Sequence, residues 1–190
     1  MLNRRGFLGS VGAAGLVAYA AAGSAAGSVA DAGTPSHERF MEQAIEEGRG
    51  NERYPFGAVI VRSGRVVARG VAAAGSPTRH RGIVTHDEYA RPLGSPDWEG
   101  TTLYTTAEPC PMCMSACAWA GIGRVVWGTS IEGLRRTGLD QIDLSATAVA
   151  DAAKSFYRPQ LLLGGVLAEE TDALFRRARA IRDGDGEEQS

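Results

Sequence analysis

Thr105-Thr106-Ala107-Glu108-Pro109-Cys110-Pro111-Met112-Cys113 is the stretch that decides the fold. With Thr101-Thr102-Leu103-Tyr104 before it, the run reads as a strand, because β-branched and aromatic side chains pack well on a pleated surface. Pro109 and Pro111 turn the chain, and Pro111 suits the first position of a helix, where no amide hydrogen is needed. That helix runs to Trp119 or Ala120 before Gly121 stops it. Cys110 and Cys113 therefore emerge at a helix N-terminus, on one face. This end of a helix lowers a thiol's pKa, and the thiolate is the form that zinc binds. A single C-x-x-C also fits a dithiol redox pair or two structural cysteines. Haem attachment is excluded because Met114 follows Cys113 where a histidine would be required, and a zinc ribbon would need a second cysteine pair that the chain lacks. The third cysteine, Cys117, lies one turn on in the apolar run Ala116-Cys117-Ala118-Trp119 and reads as a core residue.

Working outward, Ser36 to Glu47 has a capping serine, Glu38 in its first turn and an apolar stripe of Phe40, Met41, Ala44 and Ile45, which predicts a helix ended by Gly48. Residues Pro55 to Val61 and Arg65 to Gly70, joined at Ser63-Gly64, read as a β-hairpin. Thr78 to Arg91 fits a helix ended by Pro92. Arg124 to Gly128 and Leu161 to Val166 read as two further strands, and Ala168 to Arg182 as a closing helix. A hairpin followed by alternating helices and strands predicts an α/β fold, a three-layer α/β/α sandwich around a mixed sheet of about five strands.

Composition narrows the function. The 190 residues are 44% hydrophobic and 22% charged with a net charge of -2, which excludes disorder, a collagen and a multi-span membrane protein. Twenty Lys+Arg against twenty-two Asp+Glu leave no basic excess to meet phosphate, so nucleic acid is not an expected partner. Three cysteines between positions 110 and 117 do not make a disulfide framework and point to a metal or redox site.

The N-terminus has its own logic. Arg4-Arg5-Gly6-Phe7-Leu8 opens a segment without a charged residue from Gly6 to Ala30, closed by Ser28-Val29-Ala30 and Ala30-Asp31-Ala32. This is the layout of an export signal, and the paired arginines resemble the twin-arginine type. The segment is mostly Gly, Ala and Ser, which favours a cleaved signal over a permanent anchor. The expected organisation is an export signal over 1–32, a zinc domain over 33–182 and a flexible acidic tail over 183–190, with the mature protein periplasmic or extracellular and not inserted in the membrane.

The P-C-P-M-C block between a strand and a helix, with Pro55-Phe56-Gly57-Ala58-Val59-Ile60-Val61 before it and Arg124-Val125-Val126-Trp127-Gly128 after it, resembles the zinc-dependent cytidine-deaminase-like superfamily. Within it the likeness is to the nucleobase and nucleoside deaminases that include guanine deaminases and tRNA adenosine deaminases. The resemblance implies zinc held by two cysteines and a histidine, a water at the fourth position, and a glutamate two residues after the histidine that moves the proton. It implies hydrolytic release of ammonia from a free base, nucleoside or similar aminated heterocycle, and a possible homodimer. The metal ligands it implies are Cys110, Cys113 and a histidine.

Two registers compete for that histidine. Ser76-Pro77-Thr78-Arg79-His80 matches the family's lead-in and leaves room for a helix and return before Cys110, so His80 is the expected ligand. His86-Asp87-Glu88 has the H-x-E letters but meets Pro92 within two turns. With His80 as ligand the glutamate position is Gly82, and Ala72 falls near the family's substrate-contacting asparagine. His86, four residues after Gly82, is then the candidate replacement base. Glu88 is catalytic only in the His86 register, being about 12 Å along the helix from His80. Glu108 is expected to shape the turn, and His37 to lie at the surface. The alternative function is a zinc-binding protein of this fold with impaired catalysis; a third is an exported dithiol redox protein.

Overall fold

In the computed structural model, residues 37–70, 78–92 and 97–187 are described. The sheet is organised by its most buried strand. β3 (Thr101–Ala107) is buried at every position, as expected of a strand covered on both faces. It pairs antiparallel with β1 (Ala58–Arg62) and parallel with β4 (Arg124–Thr129). β2 (Arg65–Arg69) adds antiparallel to β1, and β5 (Leu161–Leu163) parallel to β4, giving the order β2-β1-β3-β4-β5. The mixed five-strand sheet matches the expectation. The β1–β2 hairpin turns on Ser63 and Gly64, both with positive φ, the conformation a two-residue turn requires.

Alternate residues of each strand feed two cores. On one face Val59, Val61, Tyr104 and Val126 pack with Phe40, Met41, Ala44 and Ile45 of α1 (His37–Arg49), with Leu174 of α6 (Ala168–Glu187) alongside. On the other, Ile60, Leu103, Val125 and Trp127 pack with Tyr89 of α2 (Arg81–Ala90), Met114, Cys117 and Ala118 of α3 (Pro111–Ala120), and Ala146 and Ala150 of α5 (Ala146–Ala152). Both faces of the sheet are thus covered.

Several boundaries move. α1 runs two residues past Glu47, and α2 starts at Arg81, three residues after Thr78. α6 continues to Glu187, five residues beyond Arg182 and through most of the expected tail, with Arg179 Nε donating to Asp183 one turn ahead. Two short helices escaped the sequence pattern: α4 (Ile131–Arg136) and α5 are six and seven residues long, too short for periodicity to register. Ser130 and Ser145 cap them. The expected export segment, and Ala72 with the loop around it, lie outside the described residues. No helix among the described residues is long and apolar enough to cross a membrane.

Candidate metal centre and active site

Two helix starts converge. His80 is the residue preceding α2 and Cys110 the residue preceding α3, and neither side chain is spent on capping its own helix. Both are free to meet Cys113, in the first turn of α3. The Nδ1 of His80 lies 3.3 Å from Cys110 Sγ and 3.7 Å from Cys113 Sγ, and all three ligand atoms fall within 4.8 Å of one another. Zinc bonds of ~2.0–2.3 Å at tetrahedral angles would separate N and S ligands by about 3.5 Å. The donor set therefore fits zinc in both chemistry and spacing, and with three protein ligands it would leave one position open.

Electrostatics prepare one thiol more than the other. A hydrogen bond from Cys113 holds the Cys110 thiol down to about 5, against the opposing effect of burial, and His80 adds to the lowering. That same hydrogen bond and burial push Cys113 up. Cys117 stays outside the cluster, fully buried, with its thiol pushed up to about 12 by burial; it is the core residue that the apolar run predicted.

The register question has a geometric answer. His80 joins the two cysteines, whereas His86, further along α2, meets Cys117 and Trp98 instead. Its Nε2 lies 3.7 Å from Cys117 Sγ and its ring 5.2 Å from that of Trp98. His86, the expected replacement base, is 8% exposed, packs against Cys117 and Trp98, and is not among the residues lining the pocket described below. Glu88 pairs with Arg91 at 3.0 Å and does not line the pocket. Position 82 does face the site. A Cβ on Gly82 would stand 3.4 Å from Cys113 Sγ, so the space a catalytic side chain would fill is present and empty of one.

The buried His86 gives a pH signature. Desolvation drives its pKa down to about 4, with Asp87 opposing. An unfolded histidine titrates near 6.5, so the neutral form is favoured by folding: the stability is complete above about pH 6.5 and is lost as the pH falls toward 4, by about 3 kcal/mol in all. Urea midpoints at pH 7 and pH 4.5 check this, and the difference is expected to shrink in His86→Leu compared with the native chain.

Glu108 has a firmer task than shaping a turn. Its Oε2 accepts from the Ile131 amide at 2.9 Å and its Oε1 from the Ala146 amide at 2.8 Å. One buried carboxylate thus ties the first residues of α4 and α5 beside the cysteine turn, where helix dipoles favour negative charge.

The three candidate ligands line a pocket of about 940 Å³ whose other walls come from the segment after α1 and the segment between α4 and α5. Asn51, Tyr54 and Phe56 supply the first, Leu139, Asp140, Gln141 and Ile142 the second. Two carboxylates line it. Glu108 is occupied by the two amides; Asp140 is exposed, and no ion pair among the described residues engages it. Asp140 and Tyr54 have no periodic or motif signal in the sequence, because only the fold brings these loops opposite His80.

A family model described as the cytidine and deoxycytidylate deaminase zinc-binding region matches residues 34–129. The chain belongs to this family. Among its relatives, guanine deaminase of Bacillus subtilis is 32% identical over 112 residues, 55% of this chain and 72% of that protein. The tRNA-specific adenosine deaminase of the same organism is 37% identical over 97 residues, 48% of this chain and 60% of its relative. In fold, the deaminase chain superposes on guanine deaminase from Nitrosomonas europaea with a TM-score of 0.65 at 22% identity, covering 77% of this chain and 86% of that one. The probable cytosine deaminase of Schizosaccharomyces pombe is 35% identical over 104 residues, 50% of this chain and 57% of that protein. The family and the fold are thus established from two directions.

Proposed function

We propose that this deaminase-family chain binds zinc through His80, Cys110 and Cys113 and hydrolytically deaminates a small aminated heterocycle, slowly, because position 82 carries no proton-moving side chain. The observation that carries the reading is the histidine–dithiol cluster at zinc-ligand spacing on the wall of a 940 Å³ pocket. When bound, the metal supplies a Lewis acid that makes water nucleophilic near neutral pH. The chain's own groups do the rest. Tyr54, Phe56, Leu139 and Ile142 give apolar walls suited to a flat ring, and Asp140 offers a free carboxylate to accept ring N–H groups.

That carboxylate makes the substrate preference testable. Guanine and isocytosine present an N–H donor beside the amino group, whereas cytosine, cytidine and adenosine present an acceptor there. Ammonia release by the zinc-loaded protein is expected to favour the first two. Asp140→Asn is expected to lower kcat/KM for guanine by about 10- to 100-fold, the ~1.5–3 kcal/mol of a hydrogen bond to a charged group, with zinc content unchanged. Silence from zinc-loaded protein across the panel overturns the reading.

The second reading, binding without turnover, is favoured by Gly82 itself. Calorimetry that detects guanine binding while no ammonia appears would select it. The acidic charge balance speaks against tRNA as the substrate. Export of the chain by residues 1–32 is a separate proposal, tested by whether that segment carries a folded reporter out of the cytoplasm; a homodimer is checked by sedimentation of the zinc-loaded chain.

A further inference from the structure

α6 is long, and near its C-terminal end its arginines reach across to both pocket walls. Arg182 is the centre of this arrangement. Its Nη1 donates to the Arg53 carbonyl at 2.7 Å and its Nη2 to the Thr137 carbonyl at 3.1 Å, while its guanidinium carbon sits 5.5 Å from the centre of the Tyr54 ring. The Arg53 carbonyl belongs to the wall that carries Tyr54. The Thr137 carbonyl is the start of the segment that carries Asp140 and Ile142. One planar guanidinium therefore bonds two walls that are 84 residues apart in sequence at these carbonyls and covers one face of a pocket-lining ring. Two neighbours repeat the pattern: Arg179 Nη1 donates to the Arg136 carbonyl at 3.0 Å, and Arg177 pairs with Glu52 at 2.9 Å.

We propose that Arg182 is a positioning residue: it clasps the two walls of the pocket and holds Tyr54 so that the ring's other face is the platform on which the heterocycle stacks. The stacking half rests on the reading of the pocket given above; the clasp does not. A guanidinium is suited to the task because its fixed fork can donate in two directions in one plane and still stack on an aromatic face, which an ammonium cannot do. Tyr54 is 48% exposed and lines the pocket.

The test uses the full zinc-loaded chain and the variants Arg182→Met, Arg182→Lys and Tyr54→Ala, with hydrogen exchange and binding of 8-azaguanine as separate readouts. Arg182→Met is expected to speed amide exchange severalfold in both 51–56 and 137–142, with one zinc per chain retained, and Arg182→Lys is expected not to restore the native rates. Unchanged exchange in either wall, or acceleration confined to α6, overturns the clasp whether or not any ligand binds. For the platform, Tyr54→Ala is expected to raise the Kd for 8-azaguanine about tenfold, Arg182→Met to raise it several-fold, and the double variant to be no worse than Tyr54→Ala alone, since both remove one contact. Additive losses overturn the positioning role. Absence of 8-azaguanine binding in the native chain overturns the pocket reading and the platform with it, while the exchange result still decides the clasp.

Discussion

Gly82→Glu is expected to raise the rate of ammonia release by about 10²- to 10⁴-fold, the usual contribution of a positioned general acid–base group. The His80–Cys110–Cys113 cluster is already assembled, and the glycine is where a side chain would face it: its Cβ would lie 3.4 Å from Cys113 Sγ, an ordinary contact that needs no backbone shift. Position 82 is the second residue of α2, so a carboxylate there also meets the favourable end of the helix dipole. Replacing a helical glycine should add stability of roughly 0.5–1 kcal/mol, so a gain in rate would not be hidden by misfolding. The control is Gly82→Gln, which has the same shape and helix propensity but moves no proton. It should match the glutamate variant in melting temperature and the native chain in rate. Equal rates in the two variants would show that proton transfer is not what the native chain lacks. The proposal of slow chemistry would then give way to binding without turnover.

What was legible in the sequence follows the range of the interactions involved. The strand before Cys110 and the helix after Pro111 are local consequences of β-branching, proline and a terminal glycine, and they stand at or within a residue of where the pattern put them. The metal cluster was legible for the same reason, as two of its members share one helical turn. His80 was expected over His86 from its lead-in and its spacing to Cys110, and it lies beside both cysteines while His86 meets Cys117. Helical geometry keeps His86 on nearly the same face as Gly82, since four residues advance by about 400°, but its imidazole meets Cys117, one turn further along α3 than Cys113, and does not line the pocket. Asp140, Tyr54 and Arg182 were not legible at all, since their roles come from loops and a distant helix meeting in space. α4 and α5 were missed although both carry a capping serine. A serine hydroxyl also serves turns, so before a run of only six or seven residues it does not separate a helix from a turn.

The largest effect on the protein itself should come from the ligands. Cys113→Ser is expected to weaken zinc binding by about 10²-fold or more: structural zinc sites hold their metal with about 10–16 kcal/mol, roughly 3 kcal/mol per ligand in a four-ligand site. The loss should be visible first as less than one zinc per chain after dialysis and then as a lower melting temperature. At a zinc concentration of about 1,000 Kd the metal adds about 4 kcal/mol to the folded state, which for a domain of this size is roughly 8–16 °C. Chelation of the native chain should therefore lower its melting temperature by a similar amount and leave Cys113→Ser almost unmoved. Cys117→Ala supplies the comparison, because Cys117 is equally near on α3 but faces the core. It should lose some stability through lost packing and still bind one zinc. His80→Ala should behave as Cys113→Ser, and His86→Leu as Cys117→Ala. If instead the His86 variant loses the metal and the His80 variant keeps it, the H-x-E register is the working one. Glu88 then returns as the proton-moving group, and the helix must be rotated in solution from the position found here. Zinc content in these four variants thus separates the two registers without any assay of turnover. It also tests the dithiol alternative, since a redox pair would keep its thiol–disulfide exchange when His80 is replaced and a metal centre would lose its ion.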